Sequence, residues 1–167
     1  DEFSAFICAQ ALPVQGVAPA LPSVETGFHA LLNTVVVHTH SVYANVLNMS
    51  EEGHALGREL YPDAGFLPYR APGPQLCAAI NERADAGRPQ VFFLANHGLV
   101  VAHPEVEGAL EMNEQVNATI RRRLSLPAYP ELQPGAGLSP RNAAALARRG
   151  KDFFLQHVLS PDQALYC

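Results

Sequence analysis

Apolar and polar positions divide this chain into short stretches of alternating type. The sharpest stretch is residues 34–41, where Val35, Val36 and Val37 run into His38-Thr39-His40-Ser41. Three β-branched residues favour an extended, buried chain, so this stretch predicts a strand. Ahead of it, Phe28, Leu31 and Leu32 form a helical stripe, with Ser23 as N-cap and an end near Asn33. Behind it, Ser41 is placed to cap a second helix with Val42, Val46, Leu47 and Met49 on its apolar side. Residues 51–60 predict a further helical piece, stopped by Tyr61-Pro62. Residues 65–70 read as a short edge strand. Pro74 suits the first turn of a helix running through Leu76, Ala79 and Ile80 and closed by Ala86-Gly87. Residues 90–94 and 98–102 predict two strands joined by a turn that holds Asn96, His97 and Gly98. Pro104 opens the longest helix, to about Leu124. Its apolar positions are Val106, Leu110, Val116 and Ile120, and Glu105 and Glu107 sit where the helix dipole favours them. Residues 3–12 predict a short helix or strand, residues 13–22 a loop, residues 127–140 a surface linker, and residues 141–159 a last helix with Leu146, Phe153 and Phe154 inward. Strands interleaved with helices predict an α/β layered domain.

Size and composition narrow the class. The 167 residues, 48% of them apolar, suffice for one domain with a sizeable core, expected to span residues 1–167 and to lack part of its N-terminal segment. A net charge of -5 without a long run of either sign argues against nucleic acid or an anionic membrane as partner. Arg121, Arg122 and Arg123 fall at a helix end, where cations complement the dipole. Cys8, Cys77 and Cys167 are too scattered for a disulfide framework or a thiolate metal site, and Cys77 lies in an apolar run that predicts burial. No apolar run reaches the roughly 18–20 residues of a membrane span, so a cytoplasmic location is expected.

The candidate chemistry starts at the valine strand. Residues i and i+2 of a strand share a face, so His38 and His40 point the same way and offer half of a metal site. Catalytic zinc usually takes three protein ligands, and His97, in a turn leaving another strand, is placed to complete the set. Glu25 precedes the metal strand by one helix. A carboxylate beside a metal-polarised carbonyl is what proton abstraction requires. Ser23 is a candidate for substrate contact as well as capping. Asn96 either orients His97 or serves the turn, and His29 is a helix-face residue close to the site. His54, His103 and His157 lie outside the motifs and are expected in solvent. Tyr43, Tyr61 and Tyr69 line either the cleft or the core.

Three segments, Pro22-Ser23-Val24-Glu25-Thr26 with His29, then Val35 to Ser41, then Leu94-Ala95-Asn96-His97-Gly98-Leu99, resemble the class II aldolase/adducin superfamily in order and separation. The resemblance covers roughly residues 20–125, most of the chain. With Pro161-Asp162-Gln163 they look most similar to the aldolase part of aldolase–dehydrogenase fusions. The resemblance implies a three-layer α/β/α fold around a central, mostly antiparallel sheet. It implies zinc, or another divalent metal, on His38, His40 and His97, with Glu25 as acid/base. It also implies aldol cleavage of a sugar or sugar phosphate through a metal-held enediolate, in a homotetramer or other homo-oligomer. An epimerase, decarboxylase or dehydratase on the same scaffold, or a non-catalytic adducin-like module, is the alternative. Two departures bear on the substrate. The phosphate aldolases carry a serine where Val24 stands, and nothing in residues 1–21 matches their phosphate-binding glycine-asparagine-serine segment. Loss of one neutral donor costs about 0.5–1.5 kcal/mol, so phosphate binding is expected to weaken by roughly an order of magnitude.

Overall fold

The computed structural model describes residues 22–32, 35–87 and 89–129, with isolated positions at 2, 6, 9, 15, 16 and 148. Predictions for residues 3–12 and 141–159, most of the proposed linker, Cys8, Cys167, His157 and the 161–163 motif lie outside the described residues. The elements in chain order are α1 (Thr26–Leu31), β1 (Val35–Thr39), α2 (Val42–Asn48), α3 (Glu51–Leu60), β2 (Gly65–Leu67), α4 (Pro74–Gly87), β3 (Val91–Leu94), β4 (Gly98–His103) and α5 (Val106–Arg123).

The four strands form one sheet in the order β1-β4-β3-β2. β1 with β4 and β4 with β3 pair antiparallel, whereas β2 with β3 pairs parallel. The parallel pair needs a crossover, and α4 supplies it. The sheet is mostly antiparallel, as expected, with β2 at one edge.

Alternation along the strands builds two cores. Leu99, Val101 and Phe93 face one side and pack with Tyr43, Ala44 and Leu47 of α2 and with Val116 and Ile120 of α5. Val100, Phe92 and Leu94 face the other and pack with Phe28 of α1 and with Leu76, Cys77 and Ile80 of α4. Helices thus cover both faces, giving the α/β/α layering. His38 pairs in register with Val100, so it lies on the α1 and α4 side. Thr39, paired with Leu99, faces α5.

The structure corrects two helix faces. On α2, Val42 and Val46 are exposed, and the buried side is Tyr43, Ala44 and Leu47 together with Asn45 and Asn48. On α5, Val106 and Leu110 are exposed, while Asn113 and Asn117 are buried beside Val116 and Ile120. Asparagine enters these faces because it is hydrogen-bonded there: Thr39 Oγ1 donates to Asn113 Oδ1 at 3.1 Å, and Ser41 Oγ to Asn117 Oδ1. Ser41 caps α2 as expected, accepting from the Ala44 N–H at 3.3 Å. Ser50 likewise caps α3 through the Gly53 N–H at 2.9 Å. Ser23 does not cap α1. Its Oγ accepts from the Glu25 N–H and its carbonyl from the Thr26 N–H, which makes a turn, so the helix starts three residues later and is six residues long. Among the described residues no helix is long and apolar enough to cross a membrane.

Candidate metal centre

Three elements meet at one end of the sheet. β1 ends there with His38 and His40, the 95–97 turn carries His97 into β4, and the residue before α1 is Glu25. One ligand atom from each of Glu25, His38, His40 and His97 lies within 4.8 Å of every other. The imidazole centroids form a nearly equilateral triangle, 4.9 Å for His38–His40, 5.0 Å for His38–His97 and 4.9 Å for His40–His97. Imidazoles bound through nitrogens about 2.0–2.1 Å from a tetrahedral centre would hold their ring centroids roughly 5 Å apart. The triangle has that size.

Gly98 makes the triangle possible through lack of a side chain. A Cβ there would stand 2.5 Å from the Thr39 carbonyl oxygen, 3.1 Å from His38 Cε1 and 3.3 Å from His40 Cδ2. Asn96 takes the turn's left-handed conformation, φ 53°, which asparagine tolerates.

The polar atoms are placed as a donor set. His38 Nδ1–H donates to the Leu99 carbonyl at 3.0 Å, which fixes the tautomer and leaves the Nε2 lone pair facing the cluster. Glu25 Oε1 lies 3.0 Å from His97 Nε2, and Oε2 lies 3.5 Å from His38 Nε2. Neither approach has hydrogen-bond alignment. Among the described residues five buried side-chain polar atoms lack a hydrogen-bond partner, and four belong to Glu25, His38 and His97. Buried polar atoms are otherwise almost always satisfied, so their concentration here fits a cation.

Electrostatics point the same way. Burial pushes His38 down to about 4, against the pull of the Glu25 carboxylate and the Leu99 carbonyl, so the ring is neutral at neutral pH, as a ligand must be. Burial acts to raise Glu25, but its contact with His97 and the charges of His38, His97 and His40 outweigh it, and the carboxyl titrates below its usual range. A histidine neutral in the fold and protonated in the unfolded chain costs stability as pH falls from 6.5 to about 4. Over that window the loss approaches about 3 kcal/mol. Glu25 acts in the same direction as the pH falls further. The denaturant midpoint of the metal-free protein should therefore drop steadily across this range. A midpoint that stays flat would show that His38 is not held neutral.

Other candidates take different places. His29 is exposed, stacks on Phe28 at 4.8 Å, and lies outside the four-residue group. Ser23 and Val24 are exposed just before Glu25. Tyr43 belongs to the core and donates to the Pro127 carbonyl at 2.7 Å, Tyr61 packs against that core, and Tyr69 is exposed. His54 and His103 are half-buried and hydrogen-bonded to the Asn48 and Glu105 backbones, not free in solvent as the sequence suggested. Burial pushes the Cys77 thiol up, and it takes no part in the cluster. The sequence reading missed Asn48, Asn113 and Asn117, which bond to the segments carrying the histidines. Their only signal was asparagine within otherwise apolar helical stripes.

A family model of the class II aldolase and adducin N-terminal domain matches residues 5–124. Among solved structures the chain is similar to the N-terminal class II aldolase domain of a protein from Thermoplasma acidophilum. Identity is 21% and the TM-score 0.56, over 64% of this chain and 50% of that one. It is also similar to YgbL, a candidate aldolase/epimerase/decarboxylase, from Klebsiella pneumoniae, at 27% identity and a TM-score of 0.50 over 68% of this chain and 62% of that one. For YgbL from Escherichia coli the values are 24%, 0.51, 78% and 68%. The chain thus spans half to about two thirds of these structures. No curated protein sequence matches it.

Proposed function

We propose a reaction for this chain from one premise: it belongs to the family of class II aldolase and adducin N-terminal domains. The reaction is cleavage, or in reverse formation, of a C–C bond in a sugar or sugar phosphate by a divalent-metal-dependent lyase. One observation carries this reading: the Glu25 carboxylate sits 3.0 Å from His97 Nε2, beside three imidazoles at near-equal spacing. His38, His40 and His97 would hold the cation, and a three-nitrogen donor set suits zinc. The bound ion supplies Lewis-acid polarisation of a carbonyl oxygen.

The remaining work falls to the chain's own residues. Glu25 is ionised at neutral pH and carries the proton. In the condensation direction its carboxylate takes the proton from the carbon next to the carbonyl. In cleavage it takes the hydroxyl proton from the carbon that becomes the aldehyde as the C–C bond breaks and gives a proton to the carbon left next to the carbonyl; in condensation the proton passes the other way, to the new hydroxyl oxygen. Ser23 accepts the Glu25 N–H through Oγ, which leaves its own hydroxyl proton to donate to a substrate oxygen. Val24 beside it is 62% exposed and offers no donor. That favours a substrate whose anionic end is held weakly, or one without phosphate.

The reading is tested on zinc-loaded protein with a panel of ketose phosphates, free ketoses and hydroxy acids. Release of an aldehyde fragment is the expected result. Epimer formation or CO₂ release without an aldehyde would assign the site to a sister reaction of the kind named for YgbL. No turnover on the panel would favour an adducin-like interaction module. The working form is proposed to be a homo-oligomer, with the exposed Val42, Val46, Val106 and Leu110 as available apolar contacts.

A further inference from the structure

We infer that Asn48 is a positioning residue for the metal centre and sets His97 by clamping the turn on both sides of it. The inference rests on the reading that His38, His40 and His97 hold a divalent cation.

Asn48 is the last residue of α2 and is 1% exposed. Its side-chain Nδ2 donates to the Gly98 carbonyl at 2.9 Å. Its own carbonyl accepts the Asn96 N–H at 3.1 Å. The residues before and after His97 are therefore tied to one side of the molecule through one residue. His54 Nε2–H donates to the same carbonyl at 2.9 Å and anchors it from α3.

His97 depends on this clamp more than His38 does on anything comparable. The His38 ring is aimed by its own bond to the Leu99 carbonyl. Among the described residues neither ring nitrogen of His97 has a hydrogen-bond partner. A ring without an aligned bond takes its direction from its backbone, its packing and, here, the Glu25 oxygen 3.0 Å from Nε2. The His97 N–H to the Leu94 carbonyl, 3.1 Å, and the Ala95 N–H to the Leu67 carbonyl, 3.0 Å, hold only the entry to the turn. The exit is held at Gly98, where even a Cβ would stand 2.5 Å from the Thr39 carbonyl oxygen, 3.1 Å from His38 Cε1 and 3.3 Å from His40 Cδ2, so a shift of Gly98 alters the spacing of His97 from the other two rings. Releasing the Gly98 carbonyl lets that spacing change.

A merely structural asparagine would cost stability when replaced and leave the metal geometry alone. The two roles separate on full-length, metal-free protein titrated with Co²⁺, read by its visible absorption bands. Asn48→Ala should weaken Co²⁺ binding about 10- to 100-fold, the usual scale for losing a partner that orients a ligand, and should change the band shape. Asn48→Asp keeps the volume and loses the donor, and it is read where Asn48→Ala does not fold. Ile120→Val, in the core on α5, should lower stability with wild-type affinity and spectrum. Folded Asn48 variants that bind Co²⁺ with wild-type affinity and bands would overturn the inference and leave the metal reading standing. A wild-type protein that gives no Co²⁺ bands would overturn both.

Discussion

Glu25→Gln should leave the cation in place and lower turnover by about 10²–10⁴-fold, the usual range for losing a general acid–base. Glutamine keeps the length and shape of the side chain, so the contacts with His38 and His97 remain sterically possible. It cannot accept a proton at neutral pH. The native carboxyl can, and its lowered pKa keeps it ionised at neutral pH. Metal content of the variant and turnover on the best substrate are measured together. Retained turnover with retained metal would move the proton-carrying role to another residue. If the metal is lost along with turnover, Glu25 is a ligand as well, which its place within ligand reach of the three histidines allows.

His38→Ala should abolish tight metal binding, a loss larger than the roughly 10–100-fold expected for a supporting contact. The remaining pair, His40 and His97, cannot close a three-nitrogen face. The same substitution has a second, independent readout. It removes the buried neutral ring, so the acid loss of stability between pH 6.5 and about 4 should shrink in the metal-free variant. Some stability is lost at all pH values, because the His38 ring packs edge-on against Phe28 at 5.5 Å. Equal metal content in wild type and variant after dialysis would remove His38 from the site.

Much of this arrangement was legible in the sequence, for physical reasons that can be named. The valine run fixes β1, and period two then puts His38 and His40 on one face. The Pro74 and Gly87 limits of α4, the Ser41 cap of α2 and the 95–97 turn each follow from local chemistry. What local chemistry does not encode is which side of a short amphipathic helix meets the sheet. Val42, Val46, Val106 and Leu110 read as inward and are exposed, because the sheet end that holds the histidines needs polar partners. Asn48, Asn113 and Asn117 supply them, to Gly98, Thr39 and Ser41. A binary apolar pattern counts such asparagines as surface. The parallel pairing of β2 with β3 was equally hidden, since strand order depends on contacts far apart in sequence. The late start of α1 came from Ser23 spending its oxygens on a turn ahead of the helix.

Zinc K-edge X-ray absorption on the zinc-loaded wild-type protein tests the central claim most directly, because it counts and identifies the ligands. The three-histidine centre predicts one zinc per chain, with outer-shell scattering from three imidazoles, nitrogen or oxygen neighbours at about 2.0–2.1 Å, and no sulfur at about 2.3 Å. A sulfur shell, or scattering from fewer than three imidazoles, would contradict it.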